Sequence, residues 1–322
     1  MLKVDEPLIR ANQGSSYIQA IIMAHENISD MVLINYTNLY CSFEDNYENI
    51  DLEFTNSSWE YYRSIGLADM NLFHRKFLSP EKFGDFLKER IDQNNYLLLY
   101  SVDEFYLPYT QYYMSRHYEH DAYIYGYEDT DFFAMGYLND MLQTIRVKQV
   151  DIINAFFSSY LEDNTSFCTF KINENVYVKS DIDMILDSLE KYMCESRVDE
   201  IKQLATGTGV YDVIDKYLEH FIDCHLSREK IDLKIFRTIW EHKKMLCVKF
   251  QEQHIIKHES QNSLYECERD ALAIFRMSLK FMKSGEEDIL NSMRSGLKRL
   301  RTKEFDVIKG IINEIHLYLN TS

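Results

Sequence analysis

His120 is the residue around which chemistry can be built. It stands just before an apolar run, Ala122-Tyr123-Ile124-Tyr125, inside the stretch YLLLYSVDEFYLPYTQYYMSRHYEHDAYIYGYEDTDFFAMGY from Tyr96 to Tyr137. A histidine at the mouth of a strand, followed by a turn at Gly126-Tyr127-Glu128-Asp129, can act as a general base on a rigid element. A histidine that caps the strand or bonds a backbone carbonyl has the same local sequence, so both readings stay open. His117, three residues earlier, reads as a surface residue of the loop.

An acyl-transfer site also needs a nucleophile, best placed at a helix N-terminus where the dipole favours an anion. The cluster Asn12-Gln13-Gly14-Ser15-Ser16 precedes an apolar helical pattern, Ile18, Ile21, Ile22. Ser15 and Ser16 are therefore candidate nucleophiles, and Gln13 a candidate to polarise a carbonyl as part of an oxyanion hole. Asn and Ser before such a helix also serve as plain caps. Cys41, the first cysteine in the chain, follows an apolar aromatic stretch and reads equally as a buried structural thiol.

The elements that would hold these groups are legible in outline. Strands are expected at 97–102, 122–126 and 132–136. A helix is expected from about the serines onward, and another over Glu81 to Ile91, with Pro80 in its first turn and Ser79 as its cap. Residues 44–58 read as loop or edge segment, and Met31 to Leu39 as a short helix or a strand ending near Cys41. Ile145 to Val147 suggests a short strand, followed by a helix over Val150 to Tyr160. Phe167 to Ile172 and Val176 to Val178 resemble a hairpin, followed by a helix over Ile182 to Met193 capped by Ser180-Asp181. Beyond Gly209 the spacing is helical throughout, in segments Val210 to Phe221, Leu233 to His258, Tyr265 to Lys283 and Ile289 to Leu319. This divides the chain into an α+β domain, 1–179, and a helical bundle, 180–322.

Composition limits the function. The chain has 322 residues, 46% of them hydrophobic, enough for a sizeable core. Its net charge is -17, with 13 basic against 27 acidic residues in 1–179 and 22 against 25 in the remainder. Such acidity disfavours nucleic acid and draws a cationic amine toward the first half. No apolar run reaches membrane-spanning length, and the N-terminus lacks a signal-peptide pattern, so a cytoplasmic location and no membrane partner are expected. The six cysteines show no metal or disulfide spacing. His254 and His258 have helix-face spacing without a third metal ligand. Arg276, Lys280, Lys283, Arg294, Lys298, Arg299, Arg301 and Lys303 form the one basic cluster, which reads as a solvated helix face or as a dock for an acidic protein.

Four segments together resemble a known family: Val102-Asp103, Tyr106-Leu107-Pro108-Tyr109, His120 and Gly126-Tyr127-Glu128-Asp129. They are similar to the butirosin-biosynthesis acyltransferase group, whose N-terminal domain is papain-like. Phe236 to Met245 also looks like a helix recurring in related bacterial proteins of peptide-antibiotic pathways. The resemblance implies a papain-like α+β domain followed by a C-terminal helical bundle. It also implies transfer of an aminoacyl or peptidyl group from a carrier-protein thioester to an amine. The phosphopantetheine would then be carried by the partner, with no cofactor of the chain's own. His120 would carry over as general base.

The family cysteine falls at Gly14, Ser15 and Ser16, where no cysteine stands. The family's orienting acid falls at Gly136-Tyr137, unless Asp129, Asp131 or Asp140 replaces it. Three expectations follow. The first is an acyl- or peptidyl-transferase using Ser15, Ser16 or Cys41, and the second an inactive relative that binds a carrier protein or peptide intermediate. The third is a thioester or amide hydrolase.

Overall fold

A computed structural model describes residues 1–138, 141–162, 165–178, 182–194 and 197–321. In chain order the elements begin with α1 (Gln13–Met23), α2 (Met31–Asn35), β1 (Leu39–Phe43), β2 (Ile50–Phe54) and α3 (Trp59–Ser64). Next come β3 (Ala68–His74), α4 (Pro80–Asp92), β4 (Tyr96–Asp103), β5 (Glu119–Glu128), β6 (Asp131–Leu138), β7 (Met141–Lys148), α5 (Gln149–Phe156) and β8 (Ser166–Ile172). The chain continues with α6 (Ile182–Cys194), β9 (Arg197–Asp199), β10 (Leu204–Thr206), α7 (Val210–Asp223), α8 (Leu233–Gln253), α9 (His258–Ser284) and α10 (Glu287–Thr321).

These elements form two compact units that are discontinuous in sequence, where 1–179 and 180–322 were expected. One comprises Met1–Pro7, Tyr17–Ser29 and Ser58–Val178; the other comprises Leu8–Ser16, Asp30–Ser57 and Lys179–Ser322. The boundary passes through α1. Ser15 and Ser16 therefore belong to the second unit and His120 to the first.

The first unit is built on a six-stranded sheet in the order β3-β8-β4-β5-β6-β7, every neighbouring pair antiparallel. The run Tyr96-Leu97-Leu98-Leu99 is buried throughout because β4 is covered on both faces. On one face Leu97, Leu99, Ile124 and Phe132 meet Phe83 and Leu87 of α4 and Ile152 and Phe156 of α5. On the other, the Tyr17 ring of α1 lies 4.8 Å from Tyr123, and Trp59 of α3 lies 4.2 Å from Phe170. Many of the first unit's tyrosines and phenylalanines belong to these two layers.

The register of β4 against β5 shifts between Leu99 and Val102, a bulge that resets the strand end where Asp103 sits. β5 does not turn at Gly126. It continues to Glu128, and the turn is at Asp129-Thr130, with Asp129 at φ 50°. Gly126 is required for a different reason: a Cβ there would come within 3.0 Å of the Met1 backbone, whose neighbour Leu2 donates its N–H to the Tyr125 carbonyl at 2.8 Å. Val176 to Val178 forms no strand; β8 pairs instead with β3 and β4.

The second unit has a four-stranded sheet, order β2-β1-β10-β9, together with α2 and the helices from α6 onward. β2 lies within the expected loop at 44–58. Its charged residues hide a period of two, with Ile50, Leu52 and Phe54 buried and Asp51 exposed on the opposite side. The helix expected over Leu233 to His258 ends at Gln253, where His254 takes a left-handed conformation at φ 53°. His258 opens the next helix, so His254 and His258 do not share one helix face. The proposed cap Ser180-Asp181 lies outside the described residues.

Candidate functional site

The end of β4 places Asp103 with its side chain fully buried. Its Oδ1 accepts the Phe105 N–H at 3.1 Å, which caps the tight turn that follows the strand. Its Oδ2 accepts two further bonds, from the Ser158 hydroxyl at 2.6 Å and from His117 Nδ1 at 2.7 Å. Burial pushes the Asp103 carboxyl up, but the bonds from Ser158, His117 and the Phe105 N–H outweigh it and hold the group below the usual carboxylate range. Asp103 is therefore an acceptor at neutral pH. His117 must carry its proton on Nδ1, and its other nitrogen, Nε2, lies on the ring edge away from the carboxylate.

The His117 ring is held on both faces. Phe105 stacks at 4.5 Å and 23°, and Tyr160 at 5.1 Å and 20°. The ring remains 46% exposed, and no hydrogen bond among the described residues engages Nε2. The segment carrying Ser158 and Tyr160 is pinned in turn by Arg75, whose guanidinium donates to the carbonyls of Phe156, Ser158, Leu161 and Glu162 at 2.7–3.2 Å. An oriented imidazole with a free nitrogen can take a proton from a reacting group. His117 is an exposed residue of the loop, as its sequence position suggests, and what that position does not show is the bond to Asp103. The signal for the dyad was the Asp at the strand end; nothing local marks Ser158, Tyr160 or Arg75.

His120 is also in the first unit, opposite Val102 on β5. Its Nδ1 is 3.3 Å from the Asp121 carbonyl and 3.7 Å from Glu104 Oε1, and its side chain is 40% exposed. Burial raises the Glu104 pKa while His120 lowers it. Asp129 and Asp131 do not orient His120. They stand at the opposite end of β5, on the order of 25 Å along the strand at about 3.3 Å per residue. There Asp131 pairs with Arg146 at 2.6 Å, and the Asp129 carbonyl accepts from Lys88 at 2.8 Å. Asp140 lies outside the described residues.

The serines sit in the first turn of α1, inside the second unit. Asn12 is the cap: its Oδ1 accepts the Ser15 N–H at 3.0 Å. The Ser15 hydroxyl contacts Glu53 Oε2 at 3.3 Å and Ser57 Oγ at 3.2 Å, and the Ser16 hydroxyl donates to the Asn12 carbonyl. Burial pushes the Glu53 pKa up, although Lys234 lies 2.9 Å away and opposes the shift. Gln13 is the first residue of α1. Cys41 is completely buried in β1, and burial pushes its thiol up to about 12. Cys168, Cys247 and Cys267 are likewise buried and pushed up to about 12. Cys224 is exposed, with His220 Nδ1 at 3.6 Å, but it lies at the C-terminal end of α7, where the helix dipole opposes a thiolate.

Four of the eight residues of the basic cluster near the C-terminus are paired with carboxylates at hydrogen-bond distance within the second unit. Arg294 pairs with Asp215 at 2.8 Å and Glu219 at 2.9 Å, Lys298 with Asp215 at 3.1 Å, Lys303 with Asp270 at 2.6 Å, and Arg301 with Asp212. Among the described residues no group of three or more His, Cys, Asp or Glu could hold a metal ion. No described helix is long and apolar enough to cross a membrane.

Residues 62–135 match the family described as butirosin biosynthesis protein H, N-terminal, which supports the resemblance drawn from the motifs. The matched span contains Asp103, His117 and His120, while Ser15, Ser16, Cys41 and Ser158 lie outside it. No curated protein matches the chain.

Proposed function

We propose that the chain is an acyltransferase of butirosin-type antibiotic biosynthesis, in which His117, held by Asp103, serves an amine attacking an acyl thioester. The observation that carries this reading is the 2.7 Å bond from His117 to a buried carboxylate, inside the segment that matches the family. The amine nitrogen forms a bond to the thioester carbonyl carbon, and Nε2 takes the proton that nitrogen loses. The C–S bond then breaks, and the proton passes to the departing sulfur on the phosphopantetheine arm of a carrier protein. Asp103 stays ionised throughout and stabilises the imidazolium. On this reading the first unit is the papain-like domain that the resemblance implies.

Direct transfer is favoured over an acyl-enzyme route. The buried thiols are protonated at neutral pH, and the hydroxyls of Ser15 and Ser16 are engaged locally. Ser15, Ser16 and Cys41 remain the covalent alternative, with His120 as its base. The experiment is transfer from an acyl N-acetylcysteamine thioester to an amine. His117→Ala should lower the rate by about a hundredfold or more, while His120→Ala stays within tenfold. The reverse ranking, or an acylated Ser15, Ser16 or Cys41 peptide seen by mass spectrometry, would overturn this assignment.

The same absence of an activated thiol or hydroxyl among the described candidates favours one second reading, a relative that binds a carrier protein without chemistry. It predicts saturable association with an acyl-carrier protein and no turnover with or without amine. Thioester loss without amine would instead indicate a hydrolase.

A further inference from the structure

Two aromatic stacks flank the histidines, and each contains one of them. Phe105, His117 and Tyr160 form the first; Tyr112, Tyr118 and His120 form the second, with Tyr112 and Tyr118 4.6 Å apart and Tyr118 and His120 6.3 Å apart. The loop joining them is tied by internal hydrogen bonds. The Met114 N–H donates to the Phe105 carbonyl at 3.0 Å, the Glu104 N–H to the Tyr118 carbonyl at 2.9 Å, and the Thr110 hydroxyl to the Glu104 carbonyl at 3.0 Å. Leu107, Tyr106 and Tyr109 of this loop pack on the core, but three of its large side chains do not: Tyr113 is 44% exposed, Met114 64% and Tyr118 38%, and on the neighbouring segment Tyr160 is 54% exposed.

Ordered apolar side chains left in water beside an oriented base have a direct use as a wall for the group being transferred. We infer that the acyl group brought to His117 is apolar, an aryl or medium-length alkyl chain laid against this tyrosine and methionine rim. The inference deepens the acyl-transfer reading and rests on it. Tyrosine faces and a thioether offer contact area with few rotamers to freeze, and each methylene buried against them is worth about a fourfold change in binding. Arg116, the cation of this loop, is itself laid over the Tyr112 ring at 5.7 Å and so extends the flat surface.

The test uses the full chain with acetyl, hexanoyl and phenylacetyl N-acetylcysteamine thioesters and one common amine. The specificity constant should rise about tenfold or more from acetyl to hexanoyl and phenylacetyl. Met114→Ala and Tyr113→Ala should flatten that rise, lowering hexanoyl and phenylacetyl transfer about fivefold or more relative to acetyl transfer. Equal constants across the series, with turnover intact, would overturn the inference and leave the acyl-transfer reading standing. If no thioester turns over, that reading fails, and binding decides the inference alone. The phenylacetyl amide of cysteamine should then bind about tenfold more tightly than the acetyl amide by calorimetry, and less so to Met114→Ala. Equal affinities would sink it.

Discussion

At the scale of single residues, Asp103 sets the state of His117. One of its oxygens accepts both the imidazole and the Ser158 hydroxyl, so the carboxylate has to be charged and fixed before the ring can be oriented. Asp103→Asn keeps the volume but offers an amide where a charge is needed, and it permits the wrong tautomer. Transfer activity should fall by about a hundredfold or more, with circular dichroism unchanged. The pH dependence has a definite sign. The folded pKa of Asp103 lies below its unfolded value of 3.8, so its stabilising contribution is complete above that value and is lost as pH falls through the folded pKa. The stability gap between wild type and Asp103→Asn, read from urea midpoints, should therefore persist at pH 5 and close below about pH 3.8. His120 lacks such a partner at bonding distance; its nearest carboxylate oxygen is 3.7 Å away.

At the scale of elements, the site depends on a segment with no regular structure. Arg75 organises the residues after α5 through four carbonyls, and planarity is what lets one guanidinium serve them all. Arg75→Ala should cost roughly 1–3 kcal/mol, and Arg75→Lys should recover little of it. Both should lower transfer activity, because Ser158 and Tyr160 lose their fixed positions. In the second unit, the break between α8 and α9 depends on His254 at φ 53°. A non-glycine residue there carries a steric cost of about 1 kcal/mol. His254→Gly should raise the melting temperature by a few degrees, even though glycine is entropically costlier in the unfolded chain.

At the scale of the whole molecule, the second unit contains a buried polar network. Lys243 and Glu304, each 1% exposed, form an ion pair, and Glu304 also accepts the Tyr192 hydroxyl at 2.9 Å and the Tyr211 hydroxyl at 2.6 Å. Lys243 lies 2.8 Å from His242 Nδ1, while His242 Nε2 donates to the Thr37 carbonyl at 2.8 Å. Removing one member leaves an unpaired buried charge. Glu304→Ala should cost about 3–5 kcal/mol, and the double change Lys243→Met, Glu304→Leu should recover much of that. Burial, with Lys243 beside it, drives His242 well below its usual value of 6.5. The unfolded chain therefore binds the extra proton first as pH falls, and the urea midpoint should drop between pH 7 and pH 5. Burial also lowers His25 in the first unit, which adds in the same direction.

The amino-acid sequence by itself determined the elements whose burial repeats at short range. The apolar runs over β4, β5 and β6, the Pro80-led helix and the helical spacing beyond Gly209 all correspond to observed elements, because periods of 2.0 and 3.6 record which side of a segment faces a core. It also marked the segment that carries the family match, including Asp103 and both histidines. β2 escaped because its exposed charges masked its alternation, and β3 because its own burial is slight. Only the tertiary structure decided which polar groups meet. His117 bonds Asp103 at a sequence separation of fourteen, Ser158 bonds the same carboxylate at fifty-five, and Lys243 pairs with Glu304 at sixty-one. Nothing periodic encodes such separations, since they follow from strand order, a bulge and a clamped turn. The sequence pointed to the histidine next to the strand; which histidine bonds a buried carboxylate was decided by the fold.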